Sequence, residues 1–454
     1  MSQNTPESQK TISRRKALKY LGLGVLGAAG AFGIVKSGLF TNIKKEAENG
    51  TLTMATRHDK GANTTISLLG FGCMRFPTYE VENADGKKEK LIDMEKSAKL
   101  VDYAYAHQVN YYDTAYNYHK KKSGEAIGAL LKKYPRESFY LANKMPTWLV
   151  TDLAKAKEFF QEQLDKCQVE YFDYYLLHSL GDRESYDKVY EEYGVYNYLL
   201  EEKAKGRIKR LGFSFHGDNA LYDYLLAKHD WDFVQLQINY IDWEEQDAKY
   251  LYGELEKRNI PCIIMEPLKG GMLAGLNSDA DAILKEASPD NTIASWAFRY
   301  AGSLPGVITV LSGMTEMEHL ADNVKTYSNF KPLTETERAA LAKAVEVFQK
   351  FKQIGCTACK YCMPCKYGVD IPAVFAAYNK CVKESNIPDM AGERDAAFNK
   401  KKRAFIATYN NMVPDGSRAE RCISCGKCAP ICPQKLDIPG EMARIKKMVA
   451  ELEK

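Results

Sequence analysis

Between about residue 53 and residue 345 the chain alternates short apolar runs with longer charged stretches whose apolar residues recur every three to four positions. The short runs are Ile66–Phe71, Val109–Asp113, Phe139–Lys144, Phe172–His178, Ile208–Phe215, Phe233–Tyr240, Pro261–Pro267 and Val307–Ser312. Short apolar or β-rich runs of this length suit strands. The stretches between them, such as Lys90–His107 and Thr151–Gln168, carry the period of amphipathic helices. Strand and helix alternating eight times over roughly 290 residues predict an α/β fold, a closed parallel (β/α)8 TIM barrel. An open doubly wound sheet is the main rival. No G-x-G-x-x-G turn follows the first run, which weighs against that rival.

After residue 345 the pattern changes. Lys366–Arg421 is polar with helical periodicity and little strand character, which predicts a small, mostly α-helical domain over residues 346–454. Within it Val369-Asp370-Ile371-Pro372 echoes Leu436-Asp437-Ile438-Pro439. The basic runs Lys120–Lys122 and Lys400–Arg403 read as solvated helix faces. At the other end, Arg14 and Arg15 precede Leu21–Val35, fifteen residues without a charge. A basic start and a short apolar run describe a secretory signal, and the run is shorter than the ~20 residues a spanning helix needs. With Ser13 before the pair and Leu18 three residues after it, the segment resembles the twin-arginine export signal. Residues 1–36 are therefore expected to be this signal and 37–52 a linker to a barrel over 53–345. Ala29-Gly30-Ala31 is a candidate cleavage point, and retention as an anchor is the alternative.

Composition adds bounds. The chain has 454 residues, 45% hydrophobic and 27% charged, which excludes disorder and low-complexity architectures. With 63 basic against 59 acidic side chains the net charge is +4, too small and evenly spread to imply a nucleic-acid partner. The unusual figure is twelve cysteines. Cys73, Cys167, Cys262 and Cys381 are scattered and read as small buried residues. The others form two tight rows, Cys356-Cys359-Cys362-Cys365 and Cys422-Cys425-Cys428-Cys432.

In a barrel of this kind the chemistry sits at the C-terminal ends of the strands. The second run ends at Asp113 and leads to Tyr118, the third ends in Lys144, and the fourth in His178. Each alone has an ordinary use, as a helix cap, a solvent-seeking cation or a satisfied core histidine. On three successive strands at one end of one barrel they form a joint pattern. Here the sequence resembles the aldo-keto reductase family, whose tetrad is Asp, Tyr five residues later, Lys and His. Gly124-Glu125-x-x-Gly128, and Ser312-Gly313 through Asp322-Asn323, match as well, and the resemblance covers about residues 53–330. It implies interconversion of a carbonyl and an alcohol with a nicotinamide cofactor. Tyr118 would be the general acid, Lys144 its neighbouring cation, Asp113 the partner of Lys144, and His178 the group placing the carbonyl.

For the nucleotide, the resemblance implies that Ser214 and Gln235 hold the carboxamide and that Met265 replaces the ring-stacking aromatic. Ser312, Gly313 and Asn323 would bind the cofactor as well. Phe215 stands where an Asn is usual, followed by His216. Many relatives neutralise a 2′-phosphate with a Lys and an Arg at the positions held here by Leu311 and His319. The cofactor is thus NAD or NADP without evident 2′-phosphate contacts, and Lys269 is a further candidate for phosphate.

The second cysteine row, Cys422-x2-Cys425-x2-Cys428-x3-Cys432-Pro433, is the run ferredoxins use for 4Fe–4S centres. Zinc ribbons tend to use two separated Cys-x2-Cys pairs, and disulfides between such close neighbours would be strained, though export makes them conceivable. The first row has x2 in its last spacer and resembles the first half of dicluster ferredoxin domains attached to some oxidoreductases. That resemblance implies two 4Fe–4S clusters with crossed ligation. Cys356, Cys359, Cys362 and Cys432 would hold one, and Cys422, Cys425, Cys428 and Cys365 the other. The expectation is an exported aldo-keto oxidoreductase, periplasmic or membrane-anchored, coupled to iron–sulfur electron transfer. Its expected partners are a small carbonyl or alcohol substrate, a redox protein or quinone-linked carrier, and the twin-arginine export machinery. Free nicotinamide nucleotide is scarce outside the cytoplasm, so it would be bound before export. The alternatives are an electron-transfer or docking subunit with a non-catalytic barrel, and a cytoplasmic location.

Overall fold

A computed structural model describes residues 52–83, 86, 88–349, 353–384, 386–388, 390 and 393–453. The expected export segment (1–36) and all but the last residue of the expected linker (37–52) lie outside the described residues. The strands, in chain order, are β1 Thr56–Asp59, β2 Thr64–Ser67, β3 Leu69–Gly72, β4 Thr78–Glu82, β5 Lys88–Ile92, β6 Tyr111–Asp113, β7 Tyr140–Met145, β8 Phe172–Leu180, β9 Ile208–Phe215, β10 Phe233–Gln237, β11 Cys262–Met265 and β12 Val307–Ser312. β3 and β6 to β12 pair in parallel and close into an eight-stranded barrel, the (β/α)8 fold expected from the alternation. Helices such as Met94–Ala106, Leu153–Cys167 and Met317–Tyr327 lie between or after its strands. Nearly every barrel-strand residue is buried, polar ones such as Asp173, Arg210 and Gln235 included, which is why the runs are largely apolar. Inside, Tyr174 packs edge-on against Tyr111 and Phe233 at 5.2 and 5.1 Å, filling the barrel as a core.

Two local features differ from the sequence expectation. Ile66–Phe71 is not one strand: Ile66 lies in β2, which pairs with β1 in an antiparallel hairpin, and the barrel strand starts at Leu69. Ser67 makes the break, its backbone N–H donating to Asn110 Oδ1 and its hydroxyl to the Leu69 carbonyl. The hairpin brings Asp59 to Arg210 of β9 (3.0 Å) and Tyr174 of β8 (2.8 Å). Second, Lys120–Lys122 is not a helix face. His119, Lys120 and Lys121 have φ of 48°, 54° and 72°, a left-handed turn, and the helix begins at Ser123.

The chain packs as two compact units. The barrel belongs to the first, which comprises residues up to Ile238, Asp247–Met265 and Ala301–Lys331. The second comprises Asn239–Gln246, Glu266–Tyr300 and Pro332–Lys454. One of its cores joins Leu273, Leu284 and Trp296 to Leu341, Ala344 and Phe348. Another gathers Phe375, Tyr378, Phe405, Tyr409, Met442 and Ile445 from three helices, Ile371–Lys383, Ala396–Met412 and Ile438–Leu452. The echo seen in the sequence has a structural form. Asp370 and Asp437 each cap a helix, accepting from the N–H three residues on, with Pro in the first turn of both. Among the described residues no helix is long and apolar enough to cross a membrane.

Candidate active site and cysteine centre

Asp113, Tyr118, Lys144 and His178 come together at the C-terminal ends of β6, β7 and β8. Lys144 is fully buried, and its Nζ donates to Asp113 Oδ1 at 2.5 Å and to the Thr114 carbonyl at 2.9 Å. The same ammonium stands 3.4 Å from the Tyr118 hydroxyl. A buried cation held on two sides by acceptors keeps its third proton direction for the phenol. Burial raises the Asp113 carboxyl above the usual carboxylate range, and Lys144 opposes that rise.

The His178 ring meets the Tyr118 ring edge-on at 6.1 Å. Burial, then the charges of Lys144 and His216, hold His178 well below the usual histidine value, so its ring is neutral. An irregularity in the β8–β9 register falls between Leu177 and Leu180, and Ser179 there has φ 58°. This bulge turns the strand just at His178. Trp148, 47% exposed, stands 5.1 Å from the His178 ring.

Sequence reasoning missed the residues that hold Lys144 in place. Gln163 donates to the Lys144 carbonyl (2.7 Å) and to Asn143 Oδ1 (2.9 Å), while Tyr175 donates to Gln163 Oε1. Their signal is faint, since a polar residue inside an amphipathic helix looks like a surface residue until its burial is known. Gly128 does have a visible reason, because a Cβ there would collide with the Cys167 backbone.

The nucleotide candidates also lie in the barrel unit. Gln235 is buried, its Nε2 donating to Met265 Sδ at 3.4 Å, and its Oε1 has no partner. A buried amide oxygen left open is a fit for a carboxamide N–H. Ser214 Oγ accepts from the Ser179 N–H at 2.7 Å, which ties it to the bulge. Asn323 Nδ2 donates to Ser312 Oγ at 3.0 Å. Gly313 leaves room for the Arg75 side chain, which lies directly against it. Arg75 is a cation the sequence did not single out, because it follows the first strand rather than the eighth. Leu311 is buried in the barrel lining and His319 is exposed. Lys269, expected as a phosphate candidate, is instead buried in the second unit, where Asp242 and Glu245 take its charge.

The four scattered cysteines are buried free thiols, as expected. In the second unit Cys356, Cys359, Cys362 and Cys432 line one cavity together with Ile371, Phe375, Leu436 and Ile438. Burial first, then the neighbouring thiols Cys359 and Cys432, push Cys356 up to about 11. Cys362 is pushed up to about 12 by burial and by Cys359, Cys356 and Cys432. Cys428 feels the other set, Cys422, Cys425 and Cys365. Among the described residues no three His, Cys, Asp or Glu side chains close on a single ion. Four free thiols around an apolar cavity suit a larger thiolate-bound cluster, whose binding would displace the thiol protons.

The model of the aldo/keto reductase family matches residues 68–346, and that of the 4Fe–4S dicluster domain matches residues 355–436. Among curated proteins, the oxidoreductase YqkF of Bacillus subtilis is 24% identical over 307 residues, 61% of this chain and 92% of that protein. Probable aldo-keto reductase 1 of Glycine max is 25% identical over 219 residues, 46% of this chain and 58% of that protein. Among solved structures, an aldo-keto reductase of Bacillus halodurans in its holo form shares 22% identity, with 64% of this chain and 96% of that one covered and a TM-score of 0.52. An aldo-keto reductase of Klebsiella pneumoniae in complex with NADPH shares 19%, with 65% and 95% covered and a TM-score of 0.51. The structural likenesses carry the barrel fold, and the family match spans more than half of the sequence. The chain belongs to the aldo/keto reductase family and is an oxidoreductase that carries a 4Fe–4S dicluster domain.

Proposed function

We propose that the barrel interconverts a carbonyl and an alcohol with NAD or NADP, that the second unit holds two 4Fe–4S clusters passing electrons to or from a redox partner, and that the protein is exported by the twin-arginine route. The observation that carries the reading is the buried Lys144 ammonium, braced by Asp113 and set 3.4 Å from the Tyr118 hydroxyl. When bound, the nicotinamide supplies or accepts a hydride and each cluster carries one electron. The chain's own residues do the rest. In the reducing direction negative charge develops on the carbonyl oxygen, and the Tyr118 hydroxyl gives it a proton. Lys144 stabilises the charge left on the phenol oxygen, and Asp113 keeps that cation in place. His178, neutral by burial, offers the carbonyl a hydrogen bond without adding a charge. In the oxidising direction Tyr118 takes the proton back. Gln235 would hold the nicotinamide carboxamide through its open Oε1, and Arg75, beside Gly313, would supply a positive charge for the phosphates. The Klebsiella relative binds NADPH, whereas Leu311 and His319 give this chain little for a 2′-phosphate.

The test is Tyr118→Phe in anaerobically purified full-length protein. Turnover of an aromatic aldehyde should fall by about 10²- to 10⁴-fold, with nucleotide affinity unchanged. Undiminished carbonyl reduction would overturn the assignment. Iron and acid-labile sulfide should each approach about eight per chain for two cubanes. Their absence would remove the electron-transfer half of the reading.

A further inference from the structure

We infer that the second cysteine loop, Cys422–Cys432, is the face on which a small acidic protein with a one-electron centre docks. This rests on the cluster reading above and adds the partner's surface to it. The two cysteine loops share one backbone design. Ala358 and Ser424 have φ of 53° and 56°, and Lys360 and Gly426 have φ of 66° and 77°. Ala358 N–H donates to Cys356 Sγ at 3.4 Å, and Ser424 N–H donates to Cys422 Sγ at 3.4 Å.

What covers the two loops differs. Thr357, next to Cys356, is 1% exposed because the Lys269–Ala274 turn lies on it. The approach is so close that Gly270 has no room for a Cβ against the Thr357 backbone. The matching residue of the second loop is Ile423, and it is 59% exposed. Cys425 is exposed where its counterpart Cys359 is half-buried. The one residue by which the second loop's spacing exceeds the first is Ile431, and it is 52% exposed. Among the described residues the fold thus covers one copy of the loop with its own polypeptide and leaves Ile423, Cys425 and Ile431 of the other copy exposed. Large aliphatic side chains beside a redox ligand are costly to leave in water and are what a transient interface uses as its centre.

Charge selects the occupant. From Arg421 to Leu436 the chain carries Arg421, Lys427 and Lys435, all exposed, and no Asp or Glu. An apolar patch with a cationic rim complements an acidic protein and steers its encounter. A second copy of this chain would present the same cations and be repelled. During transfer one electron leaves a reduced cluster and reduces the carrier by one, and no atom moves.

The test uses loaded, full-length protein reduced with dithionite and desalted. It is mixed with an acidic plant-type ferredoxin, with basic cytochrome c, or with the neutral quinone menadione. Ferredoxin binding by interferometry and the transfer rate should both fall about tenfold from about 20 to about 300 mM salt. Both should also fall about tenfold in Ile423→Asp and in Lys427→Glu, with menadione reduction and iron content unchanged. Four results would overturn the surface: binding indifferent to salt, a preference for cytochrome c, variants that behave as the parent, or capture only by phosphatidylglycerol vesicles. A concentration-dependent dimer abolished by Ile423→Asp would overturn it as well. A protein without iron would fail the cluster reading itself, which separates the two failures.

Discussion

His178 is 4% exposed, its Nδ1 has no hydrogen-bond partner, and burial followed by the Lys144 and His216 charges depresses its pKa. The unfolded chain takes up that proton near pH 6.5, while the folded chain resists it to lower pH. The stability linked to His178 is therefore complete above about pH 6.5 and lost as pH falls toward the folded value, by up to about 1.4 kcal/mol per pH unit. Urea unfolding between pH 5 and 7.5 should show this slope in the parent and a shallower one in His178→Asn, and parallel curves would refute it. Asp113, Tyr118, Lys144 and His178 were legible because strand ends are marked by the apolar runs before them. Gln163, Asn143 and Arg75 were not, because what gives them importance is burial or a neighbour far away in the sequence.

Among elements, the long buried strands and amphipathic helices read well, since burial on both faces or on one stripe writes itself into the hydrophobic pattern. The β4–β5 hairpin did not, for its residues are mostly exposed, and the short alternation of Tyr79 and Val81 in β4 marks no buried face. The turn Lys269–Ala274 is likewise silent in the pattern but specific in its glycines. Gly270 has φ 69° and packs on Thr357, so Gly270→Ala should cost about 1–2 kcal/mol from the backbone alone, with the collision added. Lower iron content and a lower melting temperature would show it. Gly253, within the helix Ala248–Arg258, has open space for a Cβ, so Gly253→Ala should be neutral or stabilise by up to about 1 kcal/mol. Equal effects of the two substitutions would contradict this account of the turn.

At the scale of the molecule, the second unit is assembled from three separate stretches of chain. A linear pattern has no signal for such an assembly, because packing between distant segments defines it. The cysteine loops lack regular secondary structure, and the first of them lines a cavity together with Cys432, so cluster binding should supply much of their stability. Limited trypsin digestion of iron-depleted protein should cut after Lys360, Lys366 and Lys427 and leave the barrel strands of residues 52–238 intact. Loaded protein should resist at those lysines, and identical digests would refute the linkage.

The grouping of Cys432 with Cys356, Cys359 and Cys362 has a consequence in time. A ribosome that has delivered the first row of cysteines has delivered three thiols of that set and not the fourth. On the proposed crossed ligation, the centre begun by Cys356, Cys359 and Cys362 would stay open until Cys432 is made, and Cys365 would wait for Cys422, Cys425 and Cys428 in the same way. Iron and sulfur delivery would then be deferred until the second row is made, and a nascent chain halted between the rows would leave an open, oxidation-prone thiol array.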